Sequence, residues 1–298
     1  MKIIISFFIF CIVLFIYLHV HFQLRTSDDL EVYELDEASK NKLEEICDLR
    51  QPVLFDYDNQ QMINSSNKDY VFSNYSAFEI KVRNVKETNC NYLPLQINDA
   101  TKLFDEDKNQ SYFSENNTDF LQETGVIKAM QYNDEYLRPY MVSNCNYDVM
   151  IGSEGTVTPF RYEINYRTFF TVTQGSIKIK LTPPKNSKYL EPISDYENFE
   201  FRSLVNPWTT NGSQNKYKCL EVLLNVGKTI YIPAYWWYSI QFEKNTSISC
   251  FRYRTYMNNI AIIPNICMYA LQNQNIKRDL VKKVEKNIKI EKFEKIEK

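Results

Sequence analysis

Residues Gly227-Lys228-Thr229-Ile230-Tyr231-Ile232-Pro233-Ala234-Tyr235-Trp236-Trp237-Tyr238 decide the reading of this chain. Thr229 to Ile232 read as a strand, and Leu220, Val222 and Leu224 alternate before it, so a strand pair brackets Gly227-Lys228. Working outward, the clearest strand is Ser176 to Leu181, where Ile177, Ile179 and Leu181 alternate with Lys178 and Lys180. That period of two turns the aliphatic side chains to a core and the lysines to solvent, and Pro183-Pro184 ends the run. Ser239 to Phe242 and Ser247 to Tyr253 complete a β-rich section. From about residue 36 to 259, short apolar and aromatic stretches alternate with Asn, Asp, Ser and Pro punctuation, the pattern of a mainly β domain. No repeat of solenoid period is present.

The chain has 298 residues, enough for one large domain or two ordinary ones. Its 35 Lys+Arg and 37 Asp+Glu nearly cancel, leaving a formal charge of −2, which argues against a nucleic-acid binder. Aromatic residues make up 15% of the chain, ample core material that argues against wholesale disorder. Only two histidines exist, His19 and His21, both inside an apolar N-terminal run. The rest of the chain therefore excludes a Ser-His-Asp or Cys-His triad, a His-ligated zinc and an ordinary two-His-one-carboxylate iron site.

Ile3 to Phe22 is a run of twenty residues without a formal charge, just long enough at about 1.5 Å per residue to cross a hydrocarbon core of about 30 Å. A cleaved signal peptide is the alternative. The run exceeds the usual apolar region of about 7–15 residues and no A-x-A-like site follows, which favours a retained anchor. Lys2 precedes it, whereas Arg25 is followed by Asp28, Asp29 and Glu31. The positive-inside rule then gives a type II orientation, with the body in the secretory lumen or outside. Six sequons, at Asn64, Asn74, Asn109, Asn116, Asn211 and Asn245, give mild support for that side. Beyond Cys11, the cysteines Cys47, Cys90, Cys145, Cys219, Cys250 and Cys267 allow fifteen pairings without selecting one, and no C-x-x-C spacing suggests zinc.

The expected organisation is an anchor over 1–23, a stem over 24–35, the β domain over 36–270 and a charged helix over 271–298. Ser39 to Leu49 reads as a helix capped by Ser39, with Leu43, Ile46 and Cys47 on one face. Residues 57–120 are polar, with loops expected between strands. Near the C-terminus Ile276, Leu280, Val284 and Ile288 fall four apart, the pattern of a terminal helix with one apolar stripe or of a dimerisation helix.

Three stretches together resemble the JmjC-type, cupin-like hydroxylases. Ile151 to Glu163 resembles the first metal-binding strand, whose end reads T-P-x-H-Y-D in that family and Thr158-Pro159-Phe160-Arg161-Tyr162-Glu163 here. Phe169-Phe170 through Gly175, then Ile177 to Pro184, resembles the next strand and its L-F-P-P ending. The opening segment resembles G-D-x-L-Y-I-P-x-Y-W-W-H, with Tyr238 at the histidine. The resemblance implies a double-stranded β-helix, a jelly roll of the cupin kind; joined to the helices and the apolar run read above, the expected fold is that jelly roll with flanking helices, preceded by one transmembrane helix. The resemblance also implies iron(II)- and 2-oxoglutarate-dependent chemistry on two His and one carboxylate. Arg161, Glu163 and Tyr238 stand at those three positions. Ile177 stands where many members carry the lysine for 2-oxoglutarate, and Thr158 keeps a co-substrate hydroxyl.

An arginine is always protonated and repels a divalent ion, so the expectation is a site filled from within. Arg161 would occupy the metal position and pair with Glu163, two residues along the strand, while the Tyr238 hydroxyl completes the network. Such a domain is a membrane-anchored, catalytically inactive binding or structural module without cofactor, whose partner is unidentified. Two other readings stay open. One is a divergent dioxygenase that uses Fe(II) and 2-oxoglutarate through Glu163, Tyr238 and a further ligand. The other is a small-ligand or glycan-binding jelly roll with a pocket drawn from Thr158, Arg161, Trp236, Tyr238 and Arg252. Arg167 and Arg254 are further candidate anion anchors.

Overall fold

The computed structural model describes residues 2–36, 39–87, 92–209 and 217–274. Its strands are β1 (Tyr33–Leu35), β2 (Val53–Asp56), β3 (Glu79–Asn84), β4 (Tyr92–Gln96), β5 (Tyr112–Ser114), β6 (Val142–Gly152), β7 (Arg161–Tyr162) and β8 (Arg167–Gln174). They continue with β9 (Ser176–Thr182), β10 (Pro192–Asp195), β11 (Glu200–Ser203), β12 (Leu220–Asn225), β13 (Lys228–Pro233), β14 (Trp237–Phe242) and β15 (Ser247–Thr255). These form a nine-stranded sheet in the order β1-β2-β13-β8-β15-β6-β5-β3-β4 and a six-stranded sheet in the order β10-β11-β7-β14-β9-β12. Pairing is antiparallel throughout except between β1 and β2. The two faces enclose the expected jelly-roll core.

The strands of the larger sheet are apolar on both faces. Phe170, Ile230, Ile232 and Cys250 turn inward to meet Ile177, Ile179, Leu181, Ile240 and Phe242 of the smaller sheet. Their neighbours Phe169, Tyr231 and Phe251 turn outward and pack under helices. Successive side chains point to opposite faces, so a strand covered on both sides reads as continuous apolar sequence rather than as alternation. At the β8–β9 corner Gly175 has φ +69, and a Cβ there would stand 2.7 Å from Thr246 Oγ1.

Helix α1 (Lys2–Leu24) is long and apolar enough to cross a membrane, and its membrane-length window is unburied. α2 (Lys40–Cys47) forms as expected, with the Ser39 hydroxyl accepting from the Lys42 amide at 3.3 Å. The loops expected over 57–120 are in large part helical: α3 (Gln60–Ser66), α4 (Lys68–Asn74), α5 (Ile97–Glu106) and α6 (Thr118–Thr124), followed by α7 (Val126–Asn133) and α8 (Tyr256–Ala261). Two of the asparagines that suggested loops are N-caps: Asn59 accepts from Met62 N and Asn67 from Tyr70 N. Ile63 and Val71 then pack one face of each short helix onto the sheet.

The expected stem is a correction. Tyr33–Leu35 is an edge strand paired with Val53–Phe55, and Leu30 and Val32 pack against the core. The Gln51 amide donates to Ser27 and Asp29, and Arg50 lies over the Phe22 ring at 5.3 Å, so the segment after α1 is laid on the domain. Described helix continues over 263–274. The remainder of the expected C-terminal helix, with Ile276, Leu280, Val284 and Ile288, lies outside the described residues, as does Cys90. Cys11, Cys47, Cys145, Cys219, Cys250 and Cys267 are free thiols.

Candidate functional site

The site forms where β7 and β14 of the smaller sheet face β15 and β6 of the larger one. In-register pairing sets Arg161 opposite Tyr238, and Arg202 of β11 lies on the other side of Arg161. The three family ligand positions are thus brought together. Glu163 reaches Tyr238, whose hydroxyl donates to Glu163 Oε1 at 2.8 Å. The guanidinium carbon of Arg161 lies 5.7 Å from the Tyr238 ring centroid.

The expected Arg161–Glu163 pair is corrected. Arg161 donates instead to Glu115, Nη2 to Oε2 at 2.5 Å and Nη1 to Oε1 at 2.9 Å, and to Glu200 Oε1 at 3.2 Å. Glu115 and Glu200 also receive Arg83 Nη1, at 3.3 and 2.9 Å, and Glu115 accepts the Tyr92 hydroxyl at 2.8 Å. Glu163 is held by other groups. Arg252 Nε donates to its two oxygens at 2.9 and 3.1 Å, Asn165 Nδ2 at 2.8 Å and Thr168 Oγ1 at 3.0 Å. The physical reason is that β7 ends at Tyr162, so the strand alternation that would keep residues 161 and 163 on one face stops between them. Glu115, just beyond β5, and Glu200, at the start of β11, supply the carboxylates that Arg161 needs.

Below this layer Asp148 is fully buried. It accepts the amides of Asn116 and Asn117 at 2.7 and 2.8 Å and lies 3.7 Å from Arg252 Nη1. Burial raises the Asp148 carboxyl above its usual range, opposed by Arg252 and the two amides. Burial would do the same to Glu115 and Glu163. There the guanidinium groups prevail, chiefly Arg161 for Glu115 and Arg252 for Glu163, and both carboxyls are held down at about 2. Burial, then the Glu163 charge, pushes the Tyr238 phenol well above its usual value, so it stays a neutral donor.

This donor set does not fit iron(II). One family position carries a fixed cation, another a neutral phenol, and the carboxylate between them has both oxygens engaged. Among the described residues, no group of three or more His, Cys, Asp or Glu is placed to hold a metal.

Outside the filled position lies a cavity of about 330 Å³, bordered by Arg161, Glu163, Arg252, Arg254, Phe199 and Asn165, among others. Two expected pocket residues are elsewhere. Trp236 is fully buried in the core and its indole donates to the Arg50 carbonyl at 3.2 Å. Tyr235, with φ 68, turns the chain just before it. Thr158 Oγ1 accepts the Ile240 amide at 2.9 Å, and the residue lines a separate depression. Tyr238 is fully buried, so only its hydroxyl reaches the network. Arg252 is in the site as expected. Arg167 is not: it is engaged by Glu44 at 2.8 Å, on the helical side. Glu115 and Glu200 went unseen because each sits more than 35 residues from Arg161 in stretches without motif character.

Two packed, mostly antiparallel sheets, with a polar cavity at one end, define a jelly roll of the cupin kind. A family model described as cupin-like domain matches residues 25–258, and the chain belongs to that family. The match begins at the segment after α1 that the sheet takes in.

Proposed function

We propose that this chain is a membrane-anchored cupin-like domain that does not perform iron- and 2-oxoglutarate-dependent hydroxylation and serves as a binding module through its cavity. One observation carries the reading: Arg161 stands at the first metal-ligand position with its guanidinium locked by Glu115 and Glu200. A fixed positive charge there opposes a divalent cation, and removing it would leave two largely buried carboxylates to Arg83 alone among the guanidinium groups. Glu163 cannot turn to a metal without giving up Arg252, Tyr238, Asn165 and Thr168. The cavity supports binding over a purely structural role, since its volume falls at the low end of the roughly 300–1,000 Å³ of small-molecule sites. An apolar helix of membrane length supports the anchor, and the charges flanking it support a type II orientation.

The test is turnover of 2-oxoglutarate by the full chain in detergent micelles with Fe(II), ascorbate and oxygen. Succinate release at the protein-free rate is expected. Succinate release that is abolished by Glu163→Ala in a folded protein would establish the dioxygenase reading instead.

A further inference from the structure

The arginines at the cavity are not equivalent. Arg161 is matched by Glu115 and Glu200, and Arg252 by Glu163 and Asp148. Arg254, two residues on along β15, donates through Nε to Asn165 Oδ1 at 2.7 Å. Among the described residues no carboxylate lies within ion-pair distance of it, and its two terminal nitrogens have no protein acceptor. Burial with no paired carboxylate, and the neighbouring Arg252 charge, depress its guanidinium below the usual value, with only Glu163 opposing. An arginine does not give up its proton in a protein, and with only Nε engaged the terminal nitrogens are left to take an acceptor from the cavity.

What surrounds it limits the anion. The Arg254 guanidinium lies over the Phe199 ring, 5.4 Å from its centroid. Phe199 in turn packs edge-on against Phe201 at 5.6 Å and Tyr269 at 5.5 Å. Tyr162, stacked on Phe201 at 5.1 Å, and Ile164 continue this wall into the cavity. Phe199 has φ 52, a left-handed backbone unusual for an aromatic residue, and it closes the turn between β10 and β11. Arg254 makes no ion pair of its own, its planar guanidinium fork suits a planar carboxylate, and the aromatic wall suits a flat apolar body.

We propose that the cavity binds a small aromatic monocarboxylate, its carboxylate taken by the terminal nitrogens of Arg254 and its ring laid against Phe199, Phe201 and Tyr162. The proposal rests on the reading of the cavity as a binding site. It needs no metal and no chemical step.

The test is calorimetric titration of the full chain in detergent micelles with benzoate, its neutral isostere benzamide, and inorganic phosphate. Benzoate is expected to bind one per chain, with benzamide and phosphate at least tenfold weaker. Arg254→Gln is expected to weaken benzoate at least tenfold while the ligand-free protein still melts in one cooperative transition. If that variant does not fold, Arg254→Lys, which keeps the charge and loses the fork, should weaken benzoate several-fold. No benzoate binding, equal binding of benzamide, phosphate preferred over benzoate, or undiminished affinity in the folded Arg254 variants each overturns the proposal. Metal uptake by a chain that still binds benzoate overturns only the metal-free reading, whereas a metal-free chain that ignores benzoate overturns only the ligand.

Discussion

Tyr238 and Arg161 are cross-strand partners, in register across β14 and β7, with the cation of one over the ring of the other. The two positions that carry histidine in the family sequence pattern therefore touch, and their replacements are complementary: the phenol keeps its proton and serves Glu163, while the guanidinium serves Glu115 and Glu200. Restoring one histidine does not restore a metal site. In Tyr238→His, Arg161 still repels a cation and Glu163 loses its hydroxyl donor, so no metal uptake is expected. Loss of that buried hydrogen bond should lower stability by about 1–3 kcal/mol, read by urea unfolding.

Glu115 is 1% exposed and bridges Arg161 and Arg83. Glu115→Gln leaves two buried guanidinium groups under-compensated and should cost about 3–5 kcal/mol. The exposed pair Lys81–Asp119 has a comparable distance of 2.7 Å, yet Asp119→Asn should cost less than about 1 kcal/mol because water screens it. Equal losses in the two variants would contradict the buried network.

Acid stability follows from the same groups. Glu115 and Glu163 titrate at about 2 in the fold, against about 4.3 for a free glutamate. Depressed values mean that their contribution is complete above about pH 4.3 and is lost as pH falls through about 2. Asp148 has the opposite sign: burial raises it, so its contribution fades as pH rises through its folded value. Arg161→Met removes the largest force holding Glu115 down, and its acid unfolding midpoint should move to higher pH.

The jelly roll was legible because its motifs are local: the Ser176–Leu181 alternation and the segment from Gly227 to Tyr238 became β9, β13 and β14. The three ligand positions converge for the same reason. The ion pairing was not legible, because which carboxylate meets Arg161 depends on strands that approach from residues 115 and 200, and on β7 stopping one residue short of Glu163. Short helices such as α3 and α4 were hidden by asparagines that cap helices as readily as they form loops.

Cysteine reactivity should divide by burial. Burial pushes the Cys47 thiol up to about 12, and Cys250, fully buried, lies well above its usual value. Both should resist iodoacetamide in the native chain, whereas exposed Cys267 should be alkylated. Mass spectrometry of the digested protein reads the difference.

If α1 spans a bilayer, the full chain should stay in the membrane pellet after alkaline carbonate extraction, and deletion of residues 2–22 should release it. In the type II orientation, sequons such as Asn64 and Asn74 face the glycosylation machinery, and an endoglycosidase-sensitive mobility shift is expected.

The most direct measurement is the metal content of the purified full chain after incubation with Fe(II) and with Mn(II), each with and without 2-oxoglutarate. A guanidinium locked at the metal position gives no stoichiometric metal under any of the four conditions and no melting shift that depends on metal and 2-oxoglutarate together. One metal per chain, lost in Glu163→Ala, would contradict it.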